Sequence, residues 1–288
     1  MTKILRAKII ADQLYDQLRN RVKKMKLHGI QPRLSTILVE GDPASFHYAK
    51  AKQKIAKKLD ILYDLHTFSV GVGEEELFKL ISNLNNDSQV HGIMLELPLP
   101  RHLASLTIEK NIIAKKDIDG VSPTNQLAAF TGKTGLYPAT PQACIRLLKY
   151  YGYNLQGKNV LLIGRGQTVG LPLFHMLLRE NATVTVCHSY TPNLKEHIHY
   201  ADIVFVAVGR PHLIKRDMIH SNLIIIDAGI NEDAEGKMVG DVSSDVDNQV
   251  LAMSPVPGGV GSLTTAILFE NLLNTIELQS KFEEDVDQ

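Results

Sequence analysis

The stretch GKNVLLIGRGQTVGLPLFHMLLRENATVTVCHS, residues 157–189, decides the fold of this chain. A short apolar run at 159–163 enters a glycine turn, a longer apolar segment follows, and a β-branched run closes the stretch. This order predicts a strand, a turn, a helix and a second strand, which together make a βαβ unit. Further strands are predicted at 201–211 and 223–231, each ending in small or turn residues. The second half of the chain is therefore predicted to be a doubly wound, nucleotide-binding α/β sheet.

The turn GRGQTVG opens like the GxGxxG dinucleotide fingerprint but places its last glycine one residue further on. Backbone N–H groups at the start of a helix suit a pyrophosphate, so Gly164, Gly166 and Gly170 are candidate cofactor-binding residues. The alternative is a tight turn that needs only the backbone freedom of glycine.

The end of the second strand indicates which dinucleotide is bound. An NAD site usually ends this strand with an acid that binds the ribose hydroxyls, but here the strand ends in Cys187, His188 and Ser189. A 2′-phosphate suits Arg165 in the turn and the hydroxyl of Ser189, and an acid would repel it. The sequence therefore favours NADP, with His188 and Ser189 at the site. The alternative is that Arg165 faces solvent.

The first half of the chain also alternates strands and helices. Strands are predicted at 33–41, 61–68 and 92–100, with helices at 46–60 and 73–86 between them. Such βαβ rhythm predicts a parallel sheet covered on both faces.

Composition excludes several classes of protein. Lys plus Arg and Asp plus Glu number 31 each, and a zero net charge argues against non-specific nucleic-acid binding. The two cysteines match no metal or disulfide spacing, and no metal site is predicted. The N-terminus reads as an amphipathic helix, and the apolar runs are too short to cross a bilayer. We expect a cytoplasmic protein with no membrane or nucleic-acid partner.

One lysine of the segment FHYAKAKQKIAKKLD, residues 46–60, does not fit its neighbours. With about 100° per residue, Lys52 falls on the apolar face of the helix, one turn after Tyr48. The other lysines fall on the opposite, solvated side: Lys50, Lys54, Lys57 and Lys58. Lys52 is either an amine aimed at a ligand or a snorkelling side chain with a wet head group.

Seven segments, in chain order, carry a closer resemblance. They are GDPASFHYAKAK (41–52), LELPLP (95–100), KDIDG (116–120), YPATP (137–141), GRGQTVGLP (164–172), CHS (187–189) and SPVPGGVGSLT (254–264). Together they closely resemble the bifunctional methylenetetrahydrofolate dehydrogenase/methenyltetrahydrofolate cyclohydrolase family. The resemblance covers nearly the whole chain.

The resemblance implies two domains and a homodimer. Residues 1–139, joined by the C-terminal helix 263–288, correspond to a folate-binding catalytic domain, and residues 140–262 to an NADP-binding Rossmann-like domain. The segment 133–142 carries glycine and two prolines, as a domain junction often does. The last residues, SKFEEDVDQ, are expected to be a solvated tail.

The resemblance also implies residue roles. Tyr48 stacks on the folate, Lys52 is the central catalytic group for hydrolysis of the methenyl cation, and Asp119 holds the pterin. Asp117 is expected to be a turn or cap acid. The remaining candidates are the ligand-approaching loop residues Pro257, Gly258 and Gly259, and the cofactor-binding residues Gly209, Ile230 and Thr264.

The implied reaction has two steps: NADP-dependent oxidation of 5,10-methylenetetrahydrofolate to the 5,10-methenyl cation, then hydrolysis to 10-formyltetrahydrofolate. This chain departs from the family pattern at two places, with Glu96 in place of a catalytic glutamine and Ser262 in place of a proline. Glu96 is expected to lie beside Lys52 in the catalytic set. Two alternatives stay open: a dehydrogenase with weak or absent cyclohydrolase activity, or a folate-binding homologue without turnover.

Overall fold

Two groups of residues form separate units in the structure, a computed structural model that describes residues 1–103, 108–233 and 235–286. Unit 1 comprises Met1–Gln13 and Pro138–Ile267, and unit 2 comprises Leu14–Tyr137 and Leu268–Gln288. No helix in the described part of the chain is both long and apolar enough to cross a membrane.

The elements follow one another in βαβ order. The strands are β1 (Lys3–Ile4), β2 (Arg33–Val39), β3 (Leu62–Phe68), β4 (Gly92–Leu95), β5 (Asn159–Ile163), β6 (Thr183–Cys187), β7 (Ile203–Val206), β8 (Ile224–Asp227), β9 (Asn231–Glu232), β10 (Met238–Val239) and β11 (Ala252–Met253). The helices are α1 (Lys8–Leu27), α2 (Pro43–Leu59), α3 (Glu74–Asn86), α4 (Pro123–Thr131), α5 (Ala139–Tyr150), α6 (Gly170–Arg179), α7 (Leu194–His199) and α8 (Val260–Val286).

Unit 1 is built on a parallel sheet with strand order β1-β11-β8-β7-β5-β6. The central strands β7 and β8 are buried along their whole length, as expected for a sheet covered on both faces. The chain leaves β5 for β6 on one side and then returns to place β7 on the other. The carboxyl end of β5 is therefore a topological switch point, where ligands bind in such sheets. The predicted fold class is confirmed.

Unit 2 contains a smaller parallel sheet with order β3-β2-β4. Strand β4 ends at Leu95 rather than near residue 100, because Pro98 and Pro100 have no N–H to give to a ladder. Helix α8 packs closely on this strand. A Cβ added to Gly92 would lie 2.6 Å from the side chain of Leu272, so a larger residue there would require the side chains packed against the strand to shift.

The bounds of the units differ from the sequence-based domains at both ends of the chain. Residues 1–13 fall in unit 1 because β1 pairs with β11, with Lys3 beside Ala252. Helix α8 begins at Val260, and it leaves unit 1 at Ile267 to continue in unit 2. Its backbone is helical to Val286, and the side chains of the expected tail lie outside the described residues.

Candidate active site

The start of helix α2 is fixed by its own sequence. Asp42 has an extended backbone, and its carboxylate accepts a hydrogen bond from the N–H of Ser45 at 2.9 Å, which is a helix N-cap. Pro43 follows at the first helical position, where its missing N–H costs nothing. The single hydroxyl proton of Ser45 is shared between two acceptors, the Asp42 carboxylate at 2.6 Å and the carbonyl oxygen of Leu97 at 3.1 Å. The start of α2 is thus tied to the loop that follows β4.

Lys52 and Glu96 form a two-pronged ion pair in unit 2. The Lys52 ammonium nitrogen lies 2.7 Å from Oε1 and 2.8 Å from Oε2 of Glu96. The two side chains are only 14% and 7% exposed. The predicted proximity of these residues is confirmed, and the snorkelling alternative for Lys52 is wrong because its head group is held inside the protein.

The remaining lysines of α2 behave as a solvated face with one exception. Lys54, Lys57 and Lys58 are exposed, as the helical phase predicts. Lys50 is half-buried: its ammonium lies 5.5 Å from the ring centroid of Phe46 and 3.4 Å from Oε1 of Gln53. Lys50 is therefore less exposed than the other lysines of the predicted solvated face, because local contacts on the helix partly cover it.

Two residues of the KDIDG segment, Lys116 and Asp117, form structural hydrogen bonds. The buried Lys116 ammonium donates to the carbonyls of Leu84 and Asp87 at 2.9 and 2.6 Å, which satisfies the C-terminal end of α3. Asp117 accepts hydrogen bonds from the N–H of Ser122 at 2.7 Å and the amide of Asn125 at 2.9 Å. The expectation that Asp117 is a turn acid is confirmed.

Asp119 is the half-buried carboxyl of the same segment. Burial, first of all, raises its pKa from the ordinary 3.8 to about 7; the nearby Lys52 ammonium opposes this shift, and the Asp117 and Glu96 carboxylates add to it. Lys52, Glu96 and Asp119 therefore form one interacting cluster of charges. A carboxyl whose pKa lies near 7, within such a cluster of charges, is typical of a functional site.

The three glycines of the turn in unit 1 serve different purposes. Gly164 has a φ of +116°, and a Cβ there would lie 2.2 Å from the carbonyl oxygen of Ala207. A Cβ on Gly170 would lie 2.4 Å from the carbonyl oxygen of Gly164. Gly166 has no described atom within 4 Å of its Cβ position. A tight turn explains Gly164 and Gly170, while the open side of Gly166 fits a pyrophosphate that approaches the backbone before α6 begins.

The residues predicted to bind a 2′-phosphate lie in the glycine turn and after β6, and the exposure of Arg165 is compatible with both that prediction and the solvent-facing alternative. Arg165 and Ser189 are both exposed, and His188 is half-buried. The N–H of His188 donates to the hydroxyl of Thr191 at 3.0 Å, which shapes the bend after the strand.

The loop before α8 and its neighbours hold the other predicted residues of unit 1. Gly258 has a φ of +99°, and its carbonyl accepts a hydrogen bond from the N–H of Ala7 at 2.9 Å. A Cβ on Gly259 would lie 2.4 Å from the carbonyl oxygen of Pro255, so the backbone geometry requires glycine at both positions.

The other predicted residues of unit 1 lie near this loop in the sequence or in the segment after β8. Ile230 is 46% exposed. Pro257 follows a cis peptide bond, Ser262 lies in the first turn of α8, and the Thr264 hydroxyl donates to the carbonyl of Val260 at 3.1 Å.

Sequence analysis missed two buried acids of unit 1, Asp227 and Asp241. The Asp241 carboxylate accepts hydrogen bonds from the N–H groups of Val208, Gly209 and Arg210. Each acid stands next to a buried strand or a glycine, in the runs IIID and VGD. That signal is weak, because such acids are usually turn residues.

The doubly wound sheet with its glycine turn and the buried lysine–carboxylate cluster define a two-unit α/β enzyme that uses a dinucleotide. Residues 138–280 match the tetrahydrofolate dehydrogenase/cyclohydrolase NAD(P)-binding domain, and residues 5–119 match the catalytic domain of the same family. The chain belongs to the tetrahydrofolate dehydrogenase/cyclohydrolase family, which confirms the resemblance found in the sequence.

Individual relatives cover the full length. The chain is 44% identical over 282 residues to bifunctional protein FolD 2 of Desulfitobacterium hafniense, covering 98% of this chain and 99% of that protein. The crystal structure of the Campylobacter jejuni bifunctional enzyme FolD superposes with a TM-score of 0.92 at 37% identity, covering 97% and 100% of the two chains. The Trypanosoma brucei enzyme, solved with NADP cofactor and an inhibitor, gives 0.91 at 30% identity over 97% and 98%.

Proposed function

We propose that the protein oxidises 5,10-methylenetetrahydrofolate to 5,10-methenyltetrahydrofolate with NADP and hydrolyses that cation to 10-formyltetrahydrofolate. The observation that carries this proposal is the cluster of Lys52, Glu96 and Asp119 inside the segment that matches the family's catalytic domain. On this basis unit 2 is the folate-binding domain and unit 1 the NADP-binding domain.

Folate binding is assigned to unit 2 and the loop before α8. Asp119 in its carboxylate form accepts two parallel N–H bonds from the amino and ring nitrogens of the pterin. The Tyr48 ring, one turn before Lys52 on α2, stacks on the aminobenzoyl part of the substrate. Pro257, Gly258 and Gly259 supply a loop without bulky side chains that approaches the ligands.

In the first step the protein mainly orients the donor carbon. NADP, when bound, accepts the hydride from the methylene carbon between the two nitrogens. The glycine turn would hold its pyrophosphate through backbone N–H groups, and Gly209, Ile230, His188 and Thr264 would line the rest of the site. Hydride loss creates positive charge on the folate. The negative Glu96 carboxylate in unit 2 would stabilise that charge.

In the second step water adds to the methenyl carbon and releases one proton, which leaves a hydroxyl on that carbon. One carbon–nitrogen bond then breaks: the hydroxyl gives up its proton as the formyl group forms, and the leaving nitrogen gains a proton. Proton transfer near that carbon is assigned to Lys52. Glu96 holds the Lys52 ammonium through both carboxylate oxygens, and it therefore fixes the position of the lysine head group.

The proposal is tested by following both steps in one reaction. Purified protein with methylenetetrahydrofolate and NADP should produce NADPH and a methenyl chromophore that then decays to the formyl product. Separate recording at the two wavelengths distinguishes the bifunctional enzyme from a dehydrogenase alone. Absence of NADPH formation at saturating substrate would overturn the proposal.

A preference for NADP over NAD follows from Arg165 and Ser189, because the end of β6 carries no acid to repel a 2′-phosphate. A charge-assisted contact to that phosphate contributes about tenfold to a hundredfold in affinity. Arg165→Ala should therefore weaken NADP binding by about this factor and leave NAD binding almost unchanged. Lys195→Ala, an exposed position on α7, is the matched control and should change neither. Equal kcat/KM for the two cofactors in the unmodified protein would contradict this assignment.

We further propose a cytoplasmic homodimer that makes 10-formyltetrahydrofolate for purine biosynthesis and other one-carbon transfers, without a membrane or nucleic-acid partner. The dimer is what the family resemblance of the sequence implies. Sedimentation at several concentrations tests it, and a single species of 32.0 kDa would contradict it.

A further inference from the structure

Unit 1, the proposed NADP-binding unit, contains two buried carboxylates, Asp227 and Asp241. Asp241 is 0% exposed and Asp227 is 3% exposed. In the part of the chain that the structure describes, neither forms an ion pair with a lysine or arginine. Backbone N–H groups donate hydrogen bonds to them instead. A buried carboxylate is costly unless it is hydrogen-bonded, and the same bonds fix the backbone segments that donate them.

Three consecutive N–H groups converge on Asp241. Its Oδ2 accepts from Val208 at 2.7 Å and from Gly209 at 3.2 Å, and its Oδ1 accepts from Arg210 at 2.7 Å. The side-chain amide of Asn231 donates to the same Oδ1 at 2.9 Å. Four donors saturate the acceptor positions of one carboxylate, so the backbone from 208 to 210 is held at both oxygens.

Asp227 in turn holds the backbone that carries Asp241. Its Oδ1 accepts from the N–H of Asp241 at 3.2 Å, and its Oδ2 accepts from Val242 at 2.9 Å. Two glycines make room for this pair. A Cβ on Gly229 would lie 2.3 Å from Cγ of Asp241, and one on Gly240 would lie 2.0 Å from Oδ2 of Asp227.

The turn that Asp241 holds packs against the glycine turn. A Cβ on Gly164 would lie 2.2 Å from the carbonyl oxygen of Ala207 and 3.2 Å from Cγ1 of Val208. Segment 207–210 and the start of the glycine turn are therefore in direct backbone contact. A shift of the first displaces the second, because no free space separates them.

We propose that Asp241 is a positioning residue of the NADP site: it holds the Val208–Arg210 turn flush against the glycine turn at the switch point of the sheet. This inference rests on the proposed function. An asparagine cannot replace the carboxylate, since it keeps one acceptor oxygen and turns an NH₂ group toward N–H donors. Asp241 acts through the backbone and not by touching the cofactor.

The test is the variant Asp241→Asn in the full chain, with NADP as the probe. The dissociation constant and KM for NADP should rise about tenfold or more. Hydrolysis of preformed methenyltetrahydrofolate, measured without NADP, should stay near the unmodified rate because Lys52 and Glu96 lie in unit 2. Hydrogen exchange of the 208–210 amides should become faster.

Asp117→Asn is the matched control, a buried carboxylate in unit 2 that also accepts backbone N–H bonds. It should leave NADP affinity unchanged. The milder variant Asn231→Ala removes only one donor and should weaken NADP binding by a smaller factor, which keeps the inference testable if Asp241→Asn does not fold. Unchanged NADP affinity in both unit 1 variants would overturn it. If the unmodified protein does not bind NADP, the proposed function fails, and unchanged amide exchange would still count against the role of Asp241.

Discussion

At residue 96 this chain carries a carboxylate where the family resemblance implies a glutamine amide. The amide is neutral and can donate one hydrogen bond, whereas an ionised glutamate only accepts. In the structure both Glu96 oxygens engage the Lys52 ammonium, and both side chains are nearly buried. An amine held by both oxygens of a carboxylate is not free to contact a water molecule or the substrate. The substitution therefore bears on hydrolysis more than on hydride transfer, since the latter consumes no base.

Glu96→Gln should raise the ratio of cyclohydrolase to dehydrogenase activity, because it frees the Lys52 amine from its ion pair. An increase of roughly 10²-fold is the size typical of one acid–base group. Both steps are measured on the two proteins at the same pH and salt. A ratio that stays constant, or that falls in the variant, would show that Glu96 does not restrain Lys52.

Lys52→Met should abolish formation of the formyl product. Removal of one member of a buried ion pair also leaves the other unpaired, which lowers the free energy of unfolding by about 3–5 kcal/mol. This variant alone therefore does not separate a loss of stability from a loss of catalysis. The double variant Lys52→Met/Glu96→Gln removes both charges and should recover much of the lost stability without recovering hydrolysis. Lys57→Met, on the exposed side of α2, is the control for the methionine itself. Wild-type hydrolysis by the double variant would rule out a catalytic Lys52.

At the scale of elements, the geometry of the cluster depends on how α2 and β4 are joined. Lys52 lies near the middle of α2, and Glu96 is the first residue after β4. Ser45 links the two, since its hydroxyl proton is shared between the Asp42 carboxylate and the Leu97 carbonyl at 3.1 Å. The cap therefore fixes both the start of the helix and its position relative to the strand end.

Ser45→Ala should lower stability by about 1 kcal/mol, the usual size of one buried hydrogen bond. The N–H of residue 45 can still bond with Asp42, so the helix still starts there, but the link to Leu97 is lost. Hydrolysis of the methenyl substrate should fall severalfold while NADP affinity, a property of unit 1, stays the same. Ser82→Ala, at an exposed position of α3, is the matched control and should change neither quantity. Equal hydrolysis rates in the Ser45 and Ser82 variants would refute the linkage.

Periodicity predicted the strands and helices better than it predicted their ends. The strand at 159–163 and helix α3 are close to their predicted bounds, because each has a clear apolar pattern and a clear stop signal. The predicted strand 201–211 ends at Val206, since the backbone of 208–210 bonds with Asp241 instead of a neighbouring strand. The end of this strand is set by the side chain of Asp241, 33 residues beyond Val208 in the chain, and the local sequence pattern therefore does not predict it.

The same reason limits prediction of the site. Helical phase placed Lys52 on an inward face, and a match of motifs supplied its partner at residue 96. Asp227 and Asp241 escaped notice, because their role depends on which loops the sheet brings together and not on the residues beside them in the chain. The pairing of β1 with β11 is a further case, in which 249 positions separate the partners Lys3 and Ala252.

At the scale of the whole molecule, each unit contains a carboxyl whose pKa is raised mainly by burial. Asp119 in unit 2 rises from 3.8 to about 7, and Asp227 in unit 1 rises from 3.8 to about 6. Between the unfolded and folded pKa values the folded protein binds more protons than the unfolded chain. Stability from these groups is therefore complete below about pH 4 and is lost as the pH rises through 6 and 7. Near neutrality, ionisation of these two buried carboxyls therefore lowers the free energy of unfolding.

Asp119→Asn should consequently raise the melting temperature at pH 8, where the unmodified carboxylate is ionised and partly buried, and should have almost no effect near pH 4. One pKa unit corresponds to about 1.4 kcal/mol, so the free energy of unfolding should increase by an amount on the order of 1–3 kcal/mol at the higher pH.

The same variant should lose folate affinity, because an asparagine cannot accept two parallel N–H bonds. In the unmodified enzyme, folate affinity should rise as the pH increases through about 7, where Asp119 becomes the acceptor. Asp245→Asn, at an exposed position, is the control and should show no such pH dependence. A variant at position 119 that melts lower than the unmodified protein at pH 8 would show that this carboxylate stabilises the fold and does not strain it.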